Sequence, residues 1–267
     1  MTAVINLPWL GSPTDELWEE LLILSAKTKR VPWMLIGGQM MLLHTLEHGR
    51  EPLQVSQDGD AIADIRARPD ALLAFVRALE SEDFESDGMS PDGRAHRYKH
   101  KTFDPPVLVD VLAPDNVGPR ANLTTTPPGR TVEVPGGTQA LHRVEEVEVV
   151  LASGSKGLVP RPDLLGAIVI KAGATTLAER RDRHFNDLAL MAHLLGPPAA
   201  SPAGDVAGEC LLLLFQLAHP CLHDIADAHQ PAQLPLDDDR EVSGPALGHH
   251  AHDLVELVAG QSRRDVP

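Results

Sequence analysis

An aspartate inside an apolar run, Asp110 in Val107-Leu-Val-Asp-Val-Leu112, most restricts what this chain can fold into. The run reads as a central strand, and an acid in the middle of one loses its hydration unless a neighbouring charge or ion compensates it. Two compensations are open: Asp110 is a core acid paired with an arginine, or it is one ligand of a metal ion shared with other acids. The run Val55-Ser-Gln-Asp-Gly-Asp-Ala-Ile62 supplies those other acids. Asp58 and Asp60 stand two apart on an extended segment, so both point to one side. Like charges repel by roughly 4 kcal/mol at about 4 Å near a protein surface, so three converging carboxylates call for a divalent cation, Mg²⁺ or Mn²⁺. Asp64 shares their parity but follows Ile62 in an apolar stretch and is expected at the strand end, on the surface.

The elements around these acids alternate. A helix is expected over 14–29, acidic at its start and basic at its end, as the helix dipole favours. A strand at 31–36, Gly37-Gly38 and a helix at 39–48 follow. The paired acids lie on a strand at 53–65, and a helix covers 69–80, with proline and aspartate at its start. Segments 83–89, 94–103 and 106–112 read as extended, 113–130 as a loop, and 131–134 and 145–150 as strands. The pattern then becomes helical, at 164–172 and 182–195. These elements predict an α/β (α+β) fold with a mixed sheet flanked by helices, followed by a helical domain. The division expected is 1–155 for the sheet domain, 156–196 for helices closing a cleft, and 197–267 for a linker and acidic tail with helices at 207–229 and 251–259.

Aromatic residues make up only 3% of the chain, which disfavours single-strand binding by base stacking. The formal charge is −15, and residues 201–267 carry 11 acidic and 3 basic side chains, a balance of −8. Cys210 and Cys221 are the only cysteines and cannot build a thiolate zinc site by themselves. His249, His250 and His252 form at most a weak transition-metal site. No segment has the length of a membrane span and the N-terminus lacks a signal-peptide pattern, so a cytoplasmic protein with no membrane partner is expected. The locally basic stretch Arg94-Ala-His-Arg-Tyr-Lys-His-Lys101 leads into the Asp110 strand. It is either a path for tRNA or another polyanion, or an exposed hairpin.

Gly37-Gly38, Asp58-x-Asp60 and Asp110, in that order and on those elements, resemble the nucleotidyltransferase superfamily with its polymerase-beta-like fold. More narrowly, Gly37-Gly38-Gln-Met-Met-Leu-Leu43, Arg50, Ser56, Asp58 and Asp60 resemble the "GG…R…S/T-x-D-x-D" opening of the AbiEii-type nucleotidyltransferases. Those are toxin components of abortive-infection, type IV toxin-antitoxin systems. Ile170-Lys171-Ala172 and Arg183-His-Phe-Asn-Asp-Leu188 are similar to the family's helical "K-x-A" and "R-D-x-x-D-L" motifs, so the resemblance spans about residues 31–195. Two positions depart from the pattern: Gly59 stands where an aliphatic residue is usual, and His184 where the first aspartate of the last motif belongs, leaving Asp187.

The resemblance implies transfer of NMP from an NTP to a hydroxyl of tRNA, a protein or a small molecule. Asp58, Asp60 and Asp110 would hold Mg²⁺ or Mn²⁺, and Asp187 would join them as a catalytic acid. Gly37, Gly38, Ser56, Lys171 and Arg183 would bind the nucleotide, and a cognate antitoxin would be a partner. From the residues alone, Gly37-Gly38 also reads as a plain turn, Lys171 as a lysine at a domain seam, and Arg180, Arg181 and Arg183 as solvated charges. The rival functions are a degenerate, non-catalytic nucleotide or partner binder, which Gly59 and His184 support, and a D-x-D glycosyltransferase.

Overall fold

The computed structural model describes residues 2–50, 54–176 and 181–195, and the side chains of these except 181–183. The helices expected at 207–229 and 251–259, both cysteines and the His249–His252 group lie outside the described residues, as does the side chain of Arg183.

The larger sheet is built from short segments whose side chains alternate between its two faces. It contains β2 (Trp33–Ile36), β3 (Asp58–Ala63), β6 (Leu108–Pro114), β5 (Arg97–His100) and β4 (Phe84–Ser86) in that order, with β7 (Glu133–Val134) paired to the end of β6. β3 and β6 run parallel, and the other pairs along the path are antiparallel, so the sheet is mixed as expected. A second sheet joins β1 (Val4–Asn6), β8 (Val144–Val150) and β9 (Lys156–Pro162). The helices are α1 (Thr14–Lys27), α2 (Gly37–Glu47), α3 (Ala71–Ser81), α4 (Gly137–Leu141), α5 (Leu164–Ala174) and α6 (Arg181–Leu195).

Period-two alternation divides the larger sheet into two faces. Trp33, Leu35, Ala61, Ala63, Val109 and Val111 pack with Leu17, Leu21 and Leu24 of α1 and Phe75 and Leu79 of α3. Met34, Ile36 and Ile62 turn the other way, onto Met40 of α2, Ile168 and Ile170 of α5 and Met191 of α6. Burying an aliphatic or aromatic side chain contributes about 1.5–3 kcal/mol, so these two clusters hold the sheet between helices. Asp58, Asp60 and Asp110 share the parity of Ile62 and Leu112 and therefore lie on the second face. Gly59 points to the first, where an added Cβ would sit 3.3 Å from Leu17 Cδ1 and 3.5 Å from Leu21 Cδ2. The glycine between the two acids thus lets α1 pack close under the strand.

Lys156, where a division between domains is expected, is the first residue of β9, which pairs with β8 over seven residues, from Val150↔Lys156 to Val144↔Pro162. The described residues belong to one compact unit, Met1–Pro220. Gly157, Pro160 and Pro162 hide this strand in the sequence, yet they are tolerated because β9 is an edge of its sheet. β1 is only three residues long and pairs in parallel with β8, Val4 to Glu148, across a separation that no local signal reveals.

Arg161, only 1% exposed, ties β9 to the rest. Its guanidinium pairs with Glu145 at 3.0 Å and with Glu47 at the end of α2. One turn earlier on α2, the buried His44 hydrogen-bonds the Pro162 carbonyl at 3.1 Å through Nε2. Burial and the nearby Arg161 charge push its pKa down to about 3, so the ring is neutral and Nε2 donates. No described helix is long and apolar enough to cross a membrane. Arg161→Ala removes a large buried side chain and leaves two carboxylates unpaired. It is expected to lower stability by about 2–4 kcal/mol, read as a lower urea midpoint at unchanged slope.

Candidate metal centre

Adjacent parallel strands bring the three acids together. In the β3–β6 register Asp60 stands directly opposite Asp110, with Asp58 two residues away on the same face. Each residue offers a carboxylate oxygen, and these oxygens lie within 4.8 Å of one another. Asp110 is buried, and Asp58 and Asp60 are half-buried. Ser56, 7% exposed, donates its hydroxyl to Asp58 Oδ1 and fixes that carboxylate. Behind it, the fully buried Gln39 donates from Nε2 to the Ser56 carbonyl at 2.7 Å, tying the first turn of α2 to the entry of β3. Nothing in the glycine motif assigns Gln39 this role; the one local signal is its place in the first turn of a largely apolar helix.

Gly37 is required here for two reasons. Its φ is +70°, a region L side chains rarely adopt, and a Cβ at this position would lie 1.8 Å from Asp60 Oδ2. The Asp60 carboxylate therefore rests against the backbone that opens α2. A helix N-terminus favours an anion, but burial and the neighbouring Asp58 and Asp110 dominate and raise the Asp60 pKa to about 7. Lys171 and Arg97 act in the opposite direction.

Both cations are built into the site. Arg97 on β5 faces Asp110 in the antiparallel register and grips it in a fork, Nε to Oδ1 and Nη2 to Oδ2, each at 2.8 Å. Nη2 also lies 3.4 Å from Asp58 Oδ2. The arginine-paired compensation for Asp110 is therefore present, on the same residue that completes the acid cluster. His96 Nε2 is 4.0 Å from Asp110 Oδ2. Lys171, 4% exposed on α5, donates to Asp187 Oδ2 on α6 at 2.6 Å. The structure thus sets Lys171 and Asp187 as a pair beside Asp60. His184 is half-buried three residues before Asp187, and Gly38 is half-buried in the first turn of α2.

Arg50 is brought elsewhere: it is exposed and donates to His193 Nε2 at 3.1 Å. The basic stretch 94–101 is largely neutralised from within. Arg94 pairs with Asp92 at 2.6 Å, Lys99 with Asp87 at 3.3 Å, and Arg97 with the triad. Asp64 is half-buried at the end of β3, where its Oδ1 accepts from the backbone of Arg66 and Ala67 at 3.0 Å and starts the turn.

A divalent cation suits this donor set. The ligand atoms are carboxylate oxygens, which are hard donors, and crowding holds back the ionisation of one of them, which a cation would reverse. No protein family and no curated protein matches the sequence. Among solved structures, the chain is similar to an antigenic nucleotidyltransferase-like protein from Paracoccidioides brasiliensis, at 18% identity over 80% of this chain and 92% of that one, with a TM-score of 0.46.

Two outcomes follow from the electrostatics. Asp60 has a folded-state pKa above its unfolded value, so the folded protein loses stability as pH rises from about 4 to about 7, where only the unfolded chain ionises freely. In EDTA, the stability of Asp60→Asn relative to wild type should rise by about 1–3 kcal/mol between pH 5 and pH 8, measured by urea unfolding at each pH. Arg97→Gln removes a partly exposed cation from two ligands. Mn²⁺ affinity, measured by calorimetry, should increase by about three- to tenfold.

Proposed function

We propose that this chain is a divalent-metal-dependent nucleotidyltransferase that moves NMP from an NTP to a hydroxyl of an RNA, protein or small-molecule acceptor. In finer terms, it is an AbiEii-type toxin of a toxin-antitoxin pair. The observation that carries the reading is the β3–β6 register, which sets Asp58, Asp60 and Asp110 around one point against the opening turn of α2.

Asp58, Asp60 and Asp110 would hold Mg²⁺ or Mn²⁺. When bound, such an ion polarises phosphoryl oxygens and makes an acceptor hydroxyl easier to ionise. The chain's own residues supply the rest. Gly37 and Gly38 open α2, where backbone N–H groups unsatisfied within the helix favour phosphate oxygens. Ser56 and Gln39 hold the Asp58 carboxylate and its strand in place, so the ligands need little reorganisation. Lys171 brings positive charge from α5 to the edge of the acid cluster, oriented by Asp187. That charge suits a triphosphate, and Arg183 on the same helix as Asp187 is the second candidate for it. Asp187 in this arrangement positions Lys171 and can take part in proton transfer if a substrate displaces that lysine.

One observation favours a second reading. Arg97 already satisfies Asp110 in a bidentate pair and reaches Asp58, an arrangement that would serve a nucleotide- or partner-binding protein without chemistry. Transfer of label from each α-³²P NTP with Mg²⁺ to total RNA, to cell protein and to the small-molecule fraction of a cell extract separates the two. Wild type should label one acceptor class, and Asp58→Asn/Asp60→Asn should reduce the label by at least about 10³-fold. NTP binding with no label on any acceptor would establish the non-catalytic binder.

A further inference from the structure

Arg97 touches more of the acid cluster than a strand-to-strand pair needs. Its Nε and Nη2 take the two oxygens of Asp110, each at 2.8 Å, and the same Nη2 lies 3.4 Å from Asp58 Oδ2. One guanidinium nitrogen thus takes the place of a cation shared by two of the three carboxylates. A guanidinium keeps its proton at any ordinary pH, so competition rather than titration is what can move it.

The two partners differ in freedom. Asp110 is buried on β6, which is hydrogen-bonded to β3 on one side and to β5 on the other, so its carboxylate stays where the ladder puts it. The Arg97 side chain is 40% exposed and sits on a flexible aliphatic stem. A divalent ion that binds the acids therefore displaces the arginine and not the carboxylate. Charge works in the same direction. The ion and one guanidinium together neutralise the three carboxylates, so with the ion in place little field remains to hold Arg97 on them. The displaced guanidinium stays tethered to β5 at the rim of the site with its fork open. Its match is a phosphate, whose oxygens accept two N–H groups at once. Lys171 serves the opposite flank: it is buried, bonded to Asp187, and acts on Asp60.

We propose that Arg97 is a two-position phosphate ligand: it rests on Asp110 and Asp58 until a divalent ion takes them, and then binds a phosphate group of the nucleotide. The inference rests on the nucleotidyltransferase reading and adds a coupling to it. Ion and nucleotide favour each other's binding through this residue, since the arginine that the ion frees is the one that the phosphate holds.

The test uses the full chain labelled with ¹⁵N-arginine, Mg²⁺, and the α,β-methylene analogues of the four NTPs, which carry a P–C–P link in place of the bond that NMP transfer breaks. Binding is followed by calorimetry and the Arg97 Nε–H by NMR. Mg²⁺ alone should speed exchange of this proton with water at least about tenfold, and an analogue that binds should restore its protection. Arg97→Gln should bind that analogue in Mg²⁺ at least about fivefold more weakly than wild type. Arg97→Lys also identifies the Nε signal and replaces Arg97→Gln if that variant does not fold; its point charge should bind the analogue about threefold more weakly. An Nε–H that stays protected while Mg²⁺ saturates the site makes Arg97 a fixed pair and overturns the inference alone. Release by Mg²⁺ without recapture by an analogue that binds makes Arg97 a plain competitor and does the same. A wild type that binds none of the four analogues in Mg²⁺ overturns the functional reading, and this inference with it.

Discussion

The parallel pairing of β3 with β6 is the constraint on which the rest of the centre depends. Hydrogen-bonded parallel strands hold opposite residues a fixed short distance apart, so Asp60 and Asp110 cannot relax away from one another. Asp58 is carried on the same face by the pleat. The repulsion among the three is imposed by the backbone ladder, and it is tolerated because the other face of both strands packs Val109, Val111 and Ala61 into the main core. Gly59 belongs to the same arrangement: it lets α1 close on that face directly beneath the charges.

Around the acids, cations enter from both flanks. Arg97 reaches in from the neighbouring antiparallel strand, and Lys171 from α5. They differ in kind. Arg97 is directed at the carboxylates with both edges of its fork, whereas Lys171 is bonded to Asp187 and acts on Asp60 through its field. An incoming cation would compete directly with the first and coexist with the second. This asymmetry is the physical content of the choice between a working catalyst and a binder that has filled its own site.

Much of this was legible in the chain. The apolar run around Asp110, the D-x-D spacing and the strand-glycine-helix order located the acids and their elements, and seven strands and five helices of the described region fall where periodicity placed them. Short or interrupted elements were not legible. β1 has three residues, α4 has five, and β9 carries a glycine and two prolines, so each lacks a periodic signal of its own and is held by partners distant in sequence.

Local sequence determined which side chains are acids on strands, which glycine can open a helix with a positive φ, and which face each strand residue takes, because these follow from covalent geometry and period. Tertiary structure alone decided that Asp110 meets Arg97 as well as the other acids, that Lys171 meets Asp187, and that Arg50 goes to His193 rather than to the centre. Pairing between charges is set by strand order and helix packing, and these are collective outcomes of burying two apolar faces at once rather than properties of any one segment.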